Sequence, residues 1–173
     1  MKTIENKLNQ KSATSLDRSL YEWVPRHELA QIVPRIVRAT KTSDNATPSD
    51  EIALSILVYC YAIGVYRSNE IAERVRRNPA RALSGAAFDG KAFAQCRRSN
   101  AALIKQSLAS ALNQAFQVQW TKNHSRNATQ PRHLPVNANS ASALNSEAER
   151  RLEVAEAWDL FDQEGVLGKS DRR

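Results

Sequence analysis

The sequence is poor in glycine, cysteine and long apolar runs, and each shortage excludes a class of protein. With only 5 glycines and no segment that alternates apolar and polar residues, strands are not expected. Cys60 and Cys96 form no CxxC pair, which argues against a disulfide framework or a zinc site. The first residues lack the apolar core of a signal peptide, and no window holds the roughly 18 apolar residues of a membrane span. We therefore expect a soluble, cytoplasmic, all-α protein without a cofactor.

Positive charge is concentrated in one internal region. The net charge is +7, and residues 67–105 contain nine basic and three acidic residues, an excess of six positive charges. From residue 145 onward, eight acidic residues oppose five basic ones. A concentrated excess of positive charge indicates a surface that attracts a polyanion, whereas a uniform excess would indicate only solubility. The internal region is therefore the place to look for a nucleic-acid contact.

The first helix of a compact bundle is predicted from apolar spacing. After a polar, flexible arm at residues 1–19, a helix starts near Pro25 and follows the i, i+3, i+4 pattern of an amphipathic helix. Pro34 interrupts this pattern, which predicts a kink or two short helices that meet there. The apolar members of the pattern are Leu29, Ile32, Val33, Ile36 and Val37.

A more apolar segment predicts the buried central helix of the bundle. Ser49 is the expected N-cap, and Asp50 and Glu51 fall in the positively polarised first turn. Residues 52–63 are apolar nearly all round, too short for a membrane span and too long for most strands. We expect this helix to bury Cys60 and to end at Gly64.

The following segment, SNEIAERVRRNPARALSG, predicts a helix-turn-helix-like unit. Ser68 caps the first helix, which turns Ile71 inward and its arginines outward. Asn78 followed by proline indicates a second, short helix from Pro79 to Ser84. In helix-turn-helix proteins, a helix like the first braces the recognition helix on the DNA backbone.

The rest of the chain predicts a long helix, a linker and a terminal helix. The long helix, capped by Asp89, runs to Gln119 and completes a domain at residues 20–120. Residues 121–146 have the composition of a flexible linker. Residues 147–163, capped by Ser146, predict an amphipathic helix that docks on this core or on a partner, before a tail at 164–173. The expected core positions of the long helix are Phe93, Leu103, Ile104, Leu108, Leu112, Ala115 and Phe116, and the apolar positions of the terminal helix include Leu152, Ala155, Leu160 and Phe161.

Basic residues of the internal region are the candidate DNA contacts. Four arginines between Arg74 and Arg81 fall within about two helical turns and cannot all be paired by Glu70 and Glu73, so a phosphate-facing surface is the simplest explanation. An ordinary bundle helix with a solvated face is the alternative. The candidate DNA-binding residues are Arg74, Arg76, Arg77, Arg81, Lys91, Arg97 and Arg98.

The consecutive pair Arg97 and Arg98 has two interpretations. Neighbouring helix residues do not share a face, so one arginine faces outward, toward phosphate or base edges. In the alternative, the other is a buried structural arginine that pairs with a carboxylate such as Asp89 or Glu73.

No catalytic or metal-binding set emerges from the sequence. The three histidines, at positions 27, 124 and 133, show no ligand spacing. Acidic residues cluster on the terminal helix with basic residues between them, as on a solvated helix, and form no triad able to hold two metal ions. We therefore expect that the chain is not an enzyme.

The order of these segments resembles the N-terminal helical domain of bacterial insertion-sequence transposases of the InsH type, in the DDE group. The segments that carry the resemblance are WVPRHELAQIV, ALSILVYCYAIGVYRSNEIAERVRRNPARALSG and FDGKAFAQCRRSNAALIKQSLASALNQAF, within residues 20–120. The matching features are Val24-Pro25 with His27, Tyr59 to Gly64, Ser68 to Ile71, and Cys96-Arg97-Arg98. Two features depart: Cys96 replaces an aromatic residue, and Phe88-Asp89 replaces a Pro-Asp pair.

The resemblance implies a module that recognises transposon ends in double-stranded DNA, with a nucleoid-associated location. The RNase H-like catalytic domain of the family, with its three carboxylates, has no counterpart here, so transposition by this chain alone is not expected. A second possible function is an interaction module that forms homodimers, or binds and inhibits a full-length transposase, through the terminal helix. A third is a degenerate transposase fragment.

Overall fold

The computed structural model describes residues 26–40, 48–77, 88–124 and 141–170, and every regular element in these ranges is an α-helix. This confirms the predicted all-α class. The predicted arm at 1–19, the short helix Pro79–Ser84 and Arg81 lie outside the described residues. The helices are α1 (Arg26–Thr40), α2 (Pro48–Ala62), α3 (Ser68–Arg76), α4 (Gly90–Ser99), α5 (Ala101–His124) and α6 (Ala141–Ser170).

Helix α1 continues through Pro34 as one element, so the prediction of two short helices is wrong. Proline removes one backbone hydrogen bond, but apolar residues on both sides of it are buried. Two apolar residues before the proline, Leu29 and Val33, and two after it, Ile36 and Val37, are buried. All four are at most 5% exposed. Packing of this face against α2 and α5 offsets the lost hydrogen bond.

Helix α2 is the centre of the fold, as its uniformly apolar sequence predicts. It packs against α1, α3, α4 and α5, and Cys60 is buried as expected. Gly64 ends it with a positive φ of 76°, and the Gly64 and Val65 amides donate to the carbonyls of Tyr61 and Cys60, which is a Schellman motif. The predicted cap is wrong at the other end, because the helix begins at Pro48 and Ser49 lies inside its first turn.

The predicted long helix is divided at Asn100 into α4 and α5. Asn100 has φ −130° and ψ 25°, its amide donates to the Arg97 carbonyl, and its side chain donates to the Cys96 carbonyl. Asparagine competes with the helix for backbone hydrogen bonds in this way, which explains the break. The predicted cap of α4 is confirmed, since the Asp89 carboxylate accepts from the Ala92 amide at 2.7 Å. Most of the expected core positions of these two helices are buried, namely Phe93, Ile104, Leu108, Leu112 and Ala115. Leu103 is partly buried.

Helix α6 begins at Ala141 and packs against α5 and α3 of the same chain. Because the helix starts at Ala141, the prediction that Ser146 is its cap is wrong. Helix α5 extends to His124, so both ends of the predicted linker at residues 121–146 are helical. Of the predicted apolar positions of α6, Leu152 and Ala155 are buried in the core, whereas Leu160 is 62% exposed. In the described part of the chain, no helix has the length and apolar character needed to cross a membrane.

Candidate nucleic-acid interface

Helix α3 presents arginines to solvent because its apolar residues face the core. Ile71 and Ala72 are buried, at 0 and 3% exposure. The opposite face carries Arg74, Arg76 and Arg77, whose side chains are 48, 71 and 77% exposed. Cations near the C-terminus of a helix also interact favourably with its backbone dipole. The predicted outward orientation of these arginines is therefore confirmed.

Two glutamates of the same helix neutralise part of this charge. Glu70 accepts from Arg74 at 2.9 Å, and Glu73 accepts from Arg77 at 2.9 Å and from Arg76. Each of the three described arginines therefore has a carboxylate partner, whereas the prediction that Glu70 and Glu73 cannot pair all four stays a prediction, because Arg81 lies outside the described residues. Two glutamates pair three arginines because the Glu73 carboxylate has two oxygens and accepts from guanidinium groups at the i+3 and i+4 positions.

These ion pairs leave the arginines available to another anion. Pairs between exposed side chains contribute only about 0–1 kcal/mol each, because water screens them and ordering two long side chains costs entropy. Three arginines against two glutamates also leave one uncompensated positive charge on this helix face. We call Arg74, Arg76 and Arg77 the α3 arginine face.

Arg97 cannot contact DNA in this structure, because its side chain is completely buried. It donates to the Tyr61 hydroxyl at 2.6 Å and to the Ser68 hydroxyl at 3.1 Å, and it forms an ion pair with Asp159. Its assignment as a DNA contact is therefore wrong. Arg98 is exposed, which confirms that the two neighbours face opposite ways.

The partner of Arg97 is also different from the two carboxylates that the sequence suggested. Asp89 caps α4, and Glu73 holds the arginines of α3. Asp159 belongs to α6 and lies 62 positions further along the chain. The opposite charges of the internal and terminal segments were the signal that could have indicated pairing between them.

Two further candidate contacts lie on the surface of α4. Arg98 donates to Gln95 at 3.0 Å and remains exposed. Lys91 is exposed in the first turn of α4 and lines a cavity of about 480 Å³ together with Ser68 and Asn69. The structure therefore brings Lys91 beside the start of α3, whereas Arg81 lies outside the described residues.

The start of α3 is bonded to α6 through Arg67 and Asn69 and to α4 through Ser68. Arg67 is the N-cap residue, donates to Asp162 at 2.7 Å and lies 4.4 Å from the centre of the Trp158 ring. Asn69 donates to the same carboxylate at 3.2 Å. Ser68, predicted as the cap, is buried instead and accepts from the buried arginine of α4. Sequence reasoning missed these roles because all of them depend on residues of α4 or α6 that are distant in sequence.

The acidic residues of α6 include buried structural groups, contrary to the prediction of a solvated helix. Glu147 is 8% exposed and accepts from Arg150 and Arg151. Burial alone would raise the pKa of Glu147, but hydrogen bonds and charge from these two arginines outweigh burial and lower it. Arg151 also donates to the carbonyls of Tyr61 and Ala62, the last turn of α2. Helix α6 therefore supplies hydrogen-bond donors to carbonyls at the C-terminal end of the central helix α2.

The two cysteines and the buried Tyr61 lack the features of reactive side chains. Neither Cys60 nor Cys96 is in a disulfide. Burial, together with the charge of Asp50, raises the pKa of the Cys96 thiol to about 11, and burial also raises the pKa of Tyr61. Within the ranges described above, no three His, Cys, Asp or Glu residues are grouped so that they could hold a metal ion.

Comparison of the chain with protein-family models, curated proteins and solved structures finds no match.

Proposed function

We propose that this protein binds double-stranded DNA through the α3 arginine face, without cutting it. The observation that carries the proposal is the exposure of three arginines on one short helix, held only by surface carboxylates. The internal charge excess and the resemblance of residues 20–120 to transposase N-terminal domains support the same partner. We propose three additional DNA contacts, at Lys91, Arg98 and Arg81. The buried Arg97 is not among the proposed contacts.

Phosphate is the chemical group that this face fits best. A guanidinium donates two parallel hydrogen bonds to phosphate oxygens, and charge-assisted bonds of this kind are about twice as strong as neutral ones. Breaking the exposed pairs to Glu70 and Glu73 costs little in return. Contacts of this type position a protein on a duplex but carry no sequence information, so any sequence preference requires additional base contacts.

Binding without strand cleavage is proposed because the buried and partly buried acidic residues of α6 already have cationic partners. Glu147 is bonded to two arginines of its own helix, Asp159 to Arg97 and Asp162 to Arg67. A carboxylate engaged in this way is poorly placed to hold a catalytic metal ion. The proposed role is therefore recognition.

The alternative of a partner-binding terminal helix has less support. The apolar side of α6, including Leu144, Ala148 and Trp158, is buried within this chain. Leu160 is the one large apolar residue that is mostly exposed in the described part of α6. A surface that small does not favour a helix-in-groove partner.

The proposal predicts a steep salt dependence of DNA binding. The logarithm of the association constant should fall linearly with the logarithm of salt concentration, by about 0.9 for each phosphate neutralised. The α3 arginine face alone can contribute a slope of at most about −2.7, the value for three phosphates neutralised without competition from its own carboxylates. Fluorescence anisotropy with labelled duplexes between low and moderate salt measures this slope. Absence of binding at low salt, or binding that does not respond to salt, would contradict the proposal.

A further inference from the structure

The α3 arginine face contains its own competing anion. Glu73 is 40% exposed and bonds to Arg76 and Arg77 together, whereas Glu70 bonds to Arg74 alone. Two of the three arginines therefore share a single carboxylate, and that carboxylate lies where a DNA phosphate would have to approach them. We infer that Glu73 limits the affinity of this face for DNA and thereby sets its salt dependence. This inference rests on the proposed function.

Electrostatics gives Glu73 this effect in both states of the protein. In the free protein, its carboxylate accepts hydrogen bonds from Arg76 and Arg77 that these arginines could otherwise donate to a phosphate. In the complex, it stays on the same helix face and repels the incoming phosphate. Both effects weaken binding, and neither needs a change in the fold. A nearby carboxylate also lowers the attraction of the face for polyanions in general, which favours duplexes that supply further contacts.

The change Glu73→Gln isolates the charge. Glutamine has nearly the same shape and helix propensity as glutamate, so α3 is retained. We expect the dissociation constant for a duplex to fall by about fivefold. This factor corresponds to removing the repulsion between two unit charges about 4 Å apart in water. The salt slope should steepen by about 0.9, because one further counterion is released. Glu70→Gln frees one arginine instead of two and should tighten binding by less.

Glu153→Gln is the matched control. Glu153 is exposed on α6, and its replacement changes the net charge by the same amount as Glu73→Gln. Circular dichroism on all three variants checks that the helices are retained. With intact helices, tighter binding and a steeper slope in Glu73→Gln but not in Glu153→Gln support the inference.

The outcomes separate the inference from the proposed function. If the wild-type protein binds and Glu73→Gln behaves like Glu153→Gln, the inference fails and the proposed function stands. Weaker binding by Glu73→Gln would also overturn it, since Glu73 would then serve to orient the arginines. If the wild-type protein binds no duplex at low salt, the proposed function fails and the inference with it.

Discussion

Replacing Asp159 by Ala is expected to lower the free energy of unfolding by about 3–5 kcal/mol, the usual cost of removing one partner of a buried ion pair. Arg97 is completely buried and the Asp159 side chain is 11% exposed, so neither charge is well solvated. Without the carboxylate, the guanidinium keeps the Tyr61 and Ser68 hydroxyls, but its charge stays buried without a counterion. Urea unfolding followed by circular dichroism measures the change.

Two controls make this result specific. Asp162→Ala removes a pair whose arginine is 38% exposed, so its cost should be about 1 kcal/mol or less. Adding Arg97→Met to Asp159→Ala removes both charges and should recover a large part of the lost stability. A cost for Asp159→Ala that does not exceed that for Asp162→Ala would mean that the pair does not hold α4 against α6.

Replacing Arg76 and Arg77 together by Ala should weaken DNA binding and flatten its salt dependence. If each arginine contacts one phosphate, the slope should become less steep by about 1.8. The loss should be nearly uniform across DNA sequences, because phosphate contacts do not read bases. Anisotropy titrations of a preferred and a random duplex at several salt concentrations measure both effects.

Helix α1 provides the charge-matched control for this double variant. Arg35 and Arg38 are exposed on α1, and replacing both by Ala removes the same charge from another element. We expect the α1 variant to retain most of the salt slope. Equal losses in the two double variants would mean that net charge, and not the α3 arginine face, governs binding. Base-edge contacts would give a different signature, since losing one costs about 1–3 kcal/mol on the preferred site and much less on random DNA.

The part of the fold that the sequence predicts well is encoded locally. Apolar spacing identifies the buried sides of α1 and α5, and the Gly64 stop and the Asp89 cap follow from single-residue preferences. Helix boundaries follow less directly from the sequence, because neighbouring signals compete. Pro34 did not end α1, since burial on both sides outweighed one lost hydrogen bond, whereas Asn100 did interrupt a helix without any proline or glycine.

The roles of individual charged residues could not be predicted, because their partners are distant in sequence. Arg97 and Arg98 are chemically identical neighbours, and the packing of α2, α3 and α6 around Arg97 makes it a buried anchor while Arg98 stays on the surface. Arg67 likewise depends on Asp162 and on the Trp158 ring. Helical periodicity assigns a face to each arginine, but it does not identify the carboxylate that meets it.

Mapping the bound surface by NMR tests the central claim most directly. The ¹⁵N-labelled protein is titrated with a short duplex at low salt, and the change in each backbone amide signal is followed. We predict that the largest changes fall on the amides of α3 and on those near Lys91 and Arg98, while the exposed positions Glu149 and Glu153 of α6 change little. Changes concentrated on α6 or α1, with α3 unaffected, would contradict DNA binding through the α3 arginine face.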